Sequence, residues 1–334
     1  MKLDQVALTP DPATAGADAV AAEQSGYDGW FASEVTHDPF VTLALAADAT
    51  ERIDLGTGIV VAFARNPMDV AYSANDLQIL SGGRFALGLG SQIKPHIERR
   101  FSAEWSHPAP RMREFILALR AIWAAWNEGA ELDFEGEFYR HTLMTPFFSP
   151  EPHELGAPTV YLAAVGELMT KVAGEVADGV LCHAFTTERY LREVTLPALH
   201  DGAAGADRDP SSLEVNLGVF VVTGSDEQER QAMDQAARGQ IAFYGSTPAY
   251  RKVLELHGWG ELHEELHAMS RRGGWEEMPA AIPDDVLDAF AVTAAPGDVG
   301  RAVAERFGDV VDRVSLYTPF EFTADQVEQI RADL

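Results

Sequence analysis

IDLGTGIVV (Ile53–Val61) runs into ARNPMDVAYSANDLQILSGG (Ala64–Gly83) and then RFALGLG (Arg84–Gly90). The first piece is a β-branched apolar run interrupted by Gly56 and Gly58, the pattern of a strand that kinks or bulges at its end. The second opens on Asn66-Pro67, a cap followed by a first-turn proline, and stops at Gly82-Gly83. Its apolar residues Val70, Ala74, Leu77, Ile79 and Leu80 fall mostly at helical spacing. The third is a short buried strand ending in Gly-x-Gly. Together they form one β-α-β unit of a length that suits a right-handed parallel crossover.

The same alternation extends in both directions. LDQVAL (Leu3–Leu8) and Gly29–Ser33 read as strands one and two, separated by an Ala-rich helix that stops at Gly26. TVYLAA (Thr159–Ala164), DGVLCHA (Asp178–Ala184), LEVNLGVFVVTG (Leu213–Gly224) and DRVSLYTPF (Asp312–Phe320) supply strands five to eight. Helical patterns lie between them. The expectation is one α/β domain over residues 1–334, a (β/α)8 barrel with two insertions. The first, 129–157, follows strand four and is hairpin-like, turning at Glu135-Gly136; the second, 225–290, follows strand seven and is mainly helical. An open doubly wound sheet is the alternative, but no Gly-rich fingerprint follows strand one.

Composition bounds the function. The formal charge is −27, with four lysines against 21 arginines. Such a surface repels nucleic acid and anionic membranes, and suits either a high-GC coding bias or, preferably, a salty cytosol. No apolar run approaches the roughly 20 residues that cross a bilayer, and the N-terminus lacks signal-peptide architecture. A single cysteine, Cys182, forms no internal disulfide, so a cytoplasmic enzyme is expected.

In a barrel of this kind chemistry sits at the C-terminal strand ends. Those ends carry Ser33, Glu34 and His37; Gly58 and Ile59; Ser91 and Gln92; Val165 and Gly166; Cys182 and His183; and Tyr317. Paired carboxylates and G-x-S-x-G are missing, which disfavours glycosidase and serine-hydrolase chemistry. His37, His96 and His183 lie on different strand ends without H-x-H or H-E-x-x-H spacing, so no metal site is assigned. His263 and His267 share a helical face and are read as structural, as is the stripe Phe115, Trp123 and Trp126. Between Arg84 and Arg113 six basic residues outnumber Glu98 and Glu104, which suits either an anionic ligand or ordinary surface pairing. Free amides at the helix opened by Val165-Gly166 suit a phosphate, although Glu167 in the first turn opposes one.

TGIVV, SGGRFALGLGSQIKPHIERRF, RMREFILALRAIW, DFEGEFYRHT, VYLAAVGELMTKVAGEVADGVL and FYGSTPAY, in that order, resemble the luciferase-like monooxygenase superfamily over nearly the whole chain. The resemblance is greatest to its coenzyme F420-dependent oxidoreductases. It implies a barrel holding a deazaflavin, or alternatively FMN, at its C-terminal mouth. It also implies a non-proline cis peptide behind the ring, here Gly58–Ile59. By position, Ser33, Ser91 and Gln92 would line the cofactor. Val165, Gly166, Leu168 and Met169 would face its phosphate, and Cys182 and His183 its tail or the substrate. Glu34 or His37 would carry a proton. The family's sugar-phosphate dehydrogenases place a histidine and a glutamate where this chain has Val35 and about Ile93, so their substrate does not transfer. The implied activity is hydride transfer between F420 and a small organic substrate by a homodimer or larger homo-oligomer. The alternatives are an FMN-dependent monooxygenase with a reductase partner and a non-catalytic flavin- or deazaflavin-binding protein.

Overall fold

In the computed structural model, which describes residues 1–334, eight parallel strands close on themselves. They are β1 (Lys2–Ala7), β2 (Gly29–Ala32), β3 (Asp54–Thr57), β4 (Phe85–Gly90), β5 (Thr159–Ala164), β6 (Gly179–Cys182), β7 (Glu214–Val222) and β8 (Arg313–Tyr317). Each pairs with the next, and β8 returns to β1 with Lys2 opposite Arg313. The outer layer holds α1 (Ala15–Ser25), α2 (Pro39–Ala49), α3 (Pro67–Leu80), α4 (Pro108–Asn127), α5 (Glu167–Val176), α6 (Leu196–Gly205), α7 (Val299–Phe307) and α8 (Ala324–Asp333). The expected (β/α)8 barrel is the fold.

The two-residue repeat of each strand sorts its side chains. Leu3, Trp30, Leu55, Leu87, Val160, Val180 and Leu217 face outward into the main core beneath the helices. Val6, Phe31, Ala86, Tyr161 and Leu181 fill the interior. Inward glycines make room for these large groups: a Cβ at Gly56 would lie 2.4 Å from the Phe31 ring. At the N-terminal end of the strands the Arg313 guanidinium grips both oxygens of Asp4, at 2.8 and 2.6 Å, and reaches Asp54 at 2.8 Å. Asp4 and Arg313 are almost wholly buried, so the pair plugs that end and leaves the opposite mouth for ligands.

α3 begins as expected, with the Asn66 side chain accepting the Met68 amide and Pro67 at its first position. Its buried face is Val70, Ala71, Ala74 and Leu77, whereas Ile79 and Leu80 are exposed, because they lie off that stripe. The excursion after β4 contains a one-and-a-half-turn helix, Lys94–Arg99. Phe134–Glu135 pairs antiparallel with Arg140–His141, and Glu114 of α4 accepts the amides of Glu137 and Phe138 in the connecting turn. After β7 the helices Glu227–Gly245, Arg251–Leu256, Gly260–Arg271 and Asp284–Phe290 build a second core that takes in Phe185 and Phe220 from the barrel rim. A short strand the sequence did not suggest, Ala291–Thr293, extends the sheet beside the end of β7. Trp123 and Trp126 are core residues. His263 Nδ1 donates to the Gly245 carbonyl at 2.7 Å and His267 Nδ1 to that of Ser246 at 2.9 Å, both tying helices together. No helix is long and apolar enough to cross a membrane.

Candidate active site at the barrel mouth

After β3 the chain makes a cis peptide bond, Gly58–Ile59, and then pairs again through Val60–Val61 with Leu89–Gly90. The turn is held from β2. The Gly58 amide donates to the Ala32 carbonyl at 2.8 Å, and the Glu34 amide to that of Ile59 at 3.1 Å. Ser33 Oγ donates to the Gly58 carbonyl at 2.6 Å. Glu34 Oε2 accepts the Val61 amide at 2.7 Å while Oε1 accepts Arg65 at 3.0 Å. Arg65 also reaches Asp38, the cap of α2, at 2.9 Å. Both oxygens of a side chain only 8% exposed are thus committed, and the proton-transfer role expected of Glu34 gives way to a holding one. His37, by contrast, is exposed and makes no side-chain hydrogen bond. The Ile59 side chain packs where a Cβ on Gly90 would stand, 2.7 Å from its Cδ1.

Ser91 and Gln92 follow at the end of β4. Ser91 Oγ donates to the Gln92 carbonyl at 3.2 Å, and Gln92 takes a left-handed φ of 61° with its own Oε1 accepting the Ile93 amide. The basic excess nearby is mostly architectural. Arg84 donates to the carbonyls of Ser81, Ile53 and Thr50 at 2.7, 2.7 and 2.9 Å. Arg100 ties to the Val35 carbonyl, Arg111 to that of Glu104, and Arg113 to Glu175. Of the two readings open for this basic excess, these contacts are those of ordinary pairing, with backbone carbonyls as well as a carboxylate as partners.

On β5 the chain leaves Ala164 through Val165 to Gly166, which caps α5 without a side chain. The first amides of α5 therefore have no intrahelical acceptor, and a Cβ on Gly166 would meet nothing within 4 Å. Leu168 is exposed, Met169 half-buried, and Glu167 is paired with Lys252 at 3.1 Å. A small cavity beside this turn is lined by Val165, Cys182, His183, Thr186, Tyr190 and Val253, and the Thr186 hydroxyl is buried there without a partner. Cys182 belongs to the outward core, and burial pushes its thiol up to about 12, so it is a protonated wall and not a nucleophile. The Phe185 amide donates to His183 Nδ1 at 2.9 Å, placing the imidazole proton on Nε2. Burial pushes His183 down to about 4, so the ring is neutral at physiological pH.

Two features suit a ring-and-phosphate cofactor such as a deazaflavin. The pinned, side-chain-poor turn at Gly58–Ile59 offers a flat backing, and two strands along the same rim an uncapped helix start and an orphaned hydroxyl offer donors to an anion.

Residues 3–313 match the family described as luciferase-like monooxygenase. An uncharacterized protein of Mycobacterium tuberculosis is 56% identical over 315 residues, 94% of this chain and 92% of that one. The F420-dependent glucose-6-phosphate dehydrogenase of Mycolicibacterium smegmatis is 30% identical over 297 residues, 75% of this chain and 86% of that one. The coenzyme F420-dependent tetrahydromethanopterin reductase from Methanopyrus kandleri shares the fold, with a TM-score of 0.79 at 21% identity over 100% of this chain and 98% of that one. The chain belongs to the luciferase-like monooxygenase family, and its relatives there include F420-dependent oxidoreductases.

Proposed function

We propose that this protein is an oxidoreductase that moves a hydride between F420 and a small organic substrate. The observation that carries the reading is the Gly58–Ile59 turn, fixed at the mouth by Ser33 and Glu34 and packed against Gly90. Bound there, F420 would supply the hydride donor or acceptor carbon. The chain's own residues orient and enclose it. Ser33 and Glu34 hold the turn; Ser91 and Gln92 edge it; the amides after Val165 and Gly166, at Leu168 and Met169, receive a phosphate. Cys182 and His183, both uncharged, exclude water from the wall between. His37, exposed on the loop after β2, is the side chain placed to relay a proton between substrate and solvent. The active form is a homodimer or larger homo-oligomer.

Titration of the purified protein with F420 and separately with FMN, followed by fluorescence at high and low salt, tests this. Micromolar F420 binding with little FMN binding is expected. Preference for FMN would move the assignment to a monooxygenase that consumes oxygen with a reductase partner, and binding of neither would remove it.

A further inference from the structure

Tyr244 and Tyr250, from two parts of the insertion after β7, meet around His183, and Tyr317 at the end of β8 packs against the same core. The His183 ring lies 4.4 Å from that of Tyr244 and 4.9 Å from that of Tyr250, and these two tyrosines are 5.6 Å apart. Tyr317 spreads over Gly218, where a Cβ would stand 2.9 Å from its ring. All three are partly buried against the second core.

Four of the chain's eight tyrosine hydroxyls have a protein partner. Tyr190 donates to the Val165 carbonyl at 3.4 Å, Tyr72 to that of Phe148 at 2.6 Å, Tyr161 to Glu214, and Tyr139 accepts from Arg111. The hydroxyls of Tyr27, Tyr244, Tyr250 and Tyr317 have no such partner, and of these four the last three stand together. None of the three is sealed from solvent, and phenol donors open together at a barrel mouth point to a ligand. His183 adds a fourth donor, its Nε2–H.

The set also lacks charge. Burial raises all three phenols, Tyr317 to about 12, and the only other influence on any of them is another of the three. No Lys, Arg, Asp or Glu acts on them, and His183 is neutral. Four uncharged groups with hydrogens to give match a neutral acceptor, whereas burying an anion here without a counter-ion would be costly.

We propose that Tyr244, Tyr250, Tyr317 and His183 form the substrate pocket, and that it takes an uncharged, carbonyl-bearing organic molecule whose oxygen the phenols and imidazole grip. This rests on the oxidoreductase reading for its purpose, though not for its geometry. It separates this chain from a relative named for a sugar phosphate.

Ligand-observed NMR on the full-length protein, with and without F420, tests the pocket. Acetophenone is the neutral probe; benzoate and phenyl phosphate are charged counterparts of the same ring. Acetophenone binding at least about tenfold tighter than either anion, and weakened roughly threefold to tenfold by Tyr250→Phe and by Tyr317→Phe, is the expected result. The phenylalanine variants keep the ring packing, and a thermal melt verifies that they fold. Equal or tighter binding of an anion, absence of acetophenone binding in both states, or indifference of both variants overturns the pocket. F420 fluorescence in the same samples separates the two readings. Acetophenone binding without F420 binding sinks the cofactor assignment alone, and F420 binding without acetophenone binding sinks the pocket alone.

Discussion

Glu34 Oε2 accepts the backbone amide of Val61 at 2.7 Å, so the loop after β2 fixes the chain on the far side of the Gly58–Ile59 bond. Its other oxygen holds Arg65, whose Nε is buried without a partner and so leans on its remaining contacts. Removing one member of a buried pair strands the other, at about 3–5 kcal/mol. Arg65 is 23% exposed and keeps Asp38, which places Glu34→Ala at the lower end, about 3 kcal/mol. Urea unfolding should register that loss, and F420 affinity should fall with it. Glu34→Gln keeps an oxygen for the Val61 amide and should retain most binding and turnover. Abolished turnover in Glu34→Gln with F420 binding intact would instead make Glu34 the proton carrier.

Gly90 is the counterpart of Ile59. An alanine Cβ there would stand 2.7 Å from Ile59 Cδ1 and 2.8 Å from Cγ1, on a strand with a neighbour on either side. The clash is local, so Gly90→Ala should cost about 1–3 kcal/mol, the range for overpacking a filled interior. The displaced group is the backing of the proposed ring site. F420 binding should therefore weaken far more than it does in Ala86→Gly, a change of similar size on the same strand but deeper in the barrel. Paired titrations and thermal melts of the two variants check this, and equal F420 affinity in both would separate Ile59 from the cofactor.

What the sequence made legible was what local rules govern. Gly56 and Gly58 inside a β-branched run announced a bulge, Asn66-Pro67 and Gly82-Gly83 bracketed α3, and the order of such units yielded the barrel. The strand ends then named Ser33, Gly58, Gly166 and His183 as rim residues before any contact was known. Long side chains were less legible. Arg84, Arg100 and Arg111 reach carbonyls contributed by other segments, and no spacing along the chain encodes that reach. Glu34 hid its role for the same reason, since its partners Val61 and Arg65 lie beyond the bulge. The tyrosine pocket was the hardest to find. Tyr317 stood at a strand end in plain view, but Tyr244 and Tyr250 sit in a segment whose helical periodicity says only that it packs. Their one local signal is the Gly-Ser-Thr-Pro break of FYGSTPAY, which stops a helix between two tyrosines.

His183 sets a pH signature that belongs to the folded chain. Burial pushes its pKa from 6.5 down to about 4, so the native state keeps the ring neutral where the unfolded chain protonates it. Its stabilising effect is complete above pH 6.5 and is lost as the pH falls toward 4. Within that window the unfolded state binds one more proton at this site, so unfolding free energy should drop by roughly 1.4 kcal/mol per pH unit from this group. Other titrating groups contribute their own slopes, and the comparison that isolates His183 is with His183→Gln, whose side-chain oxygen still accepts the Phe185 amide. Urea unfolding at pH 8.0, 7.0, 6.0 and 5.0 should show the wild type losing stability faster than the variant between the lower two values, with parallel behaviour between the upper two. Parallel curves throughout would mean that the ring titrates as freely in the folded protein as in water, and His183 would then be a charged group at the pocket in mildly acidic solution.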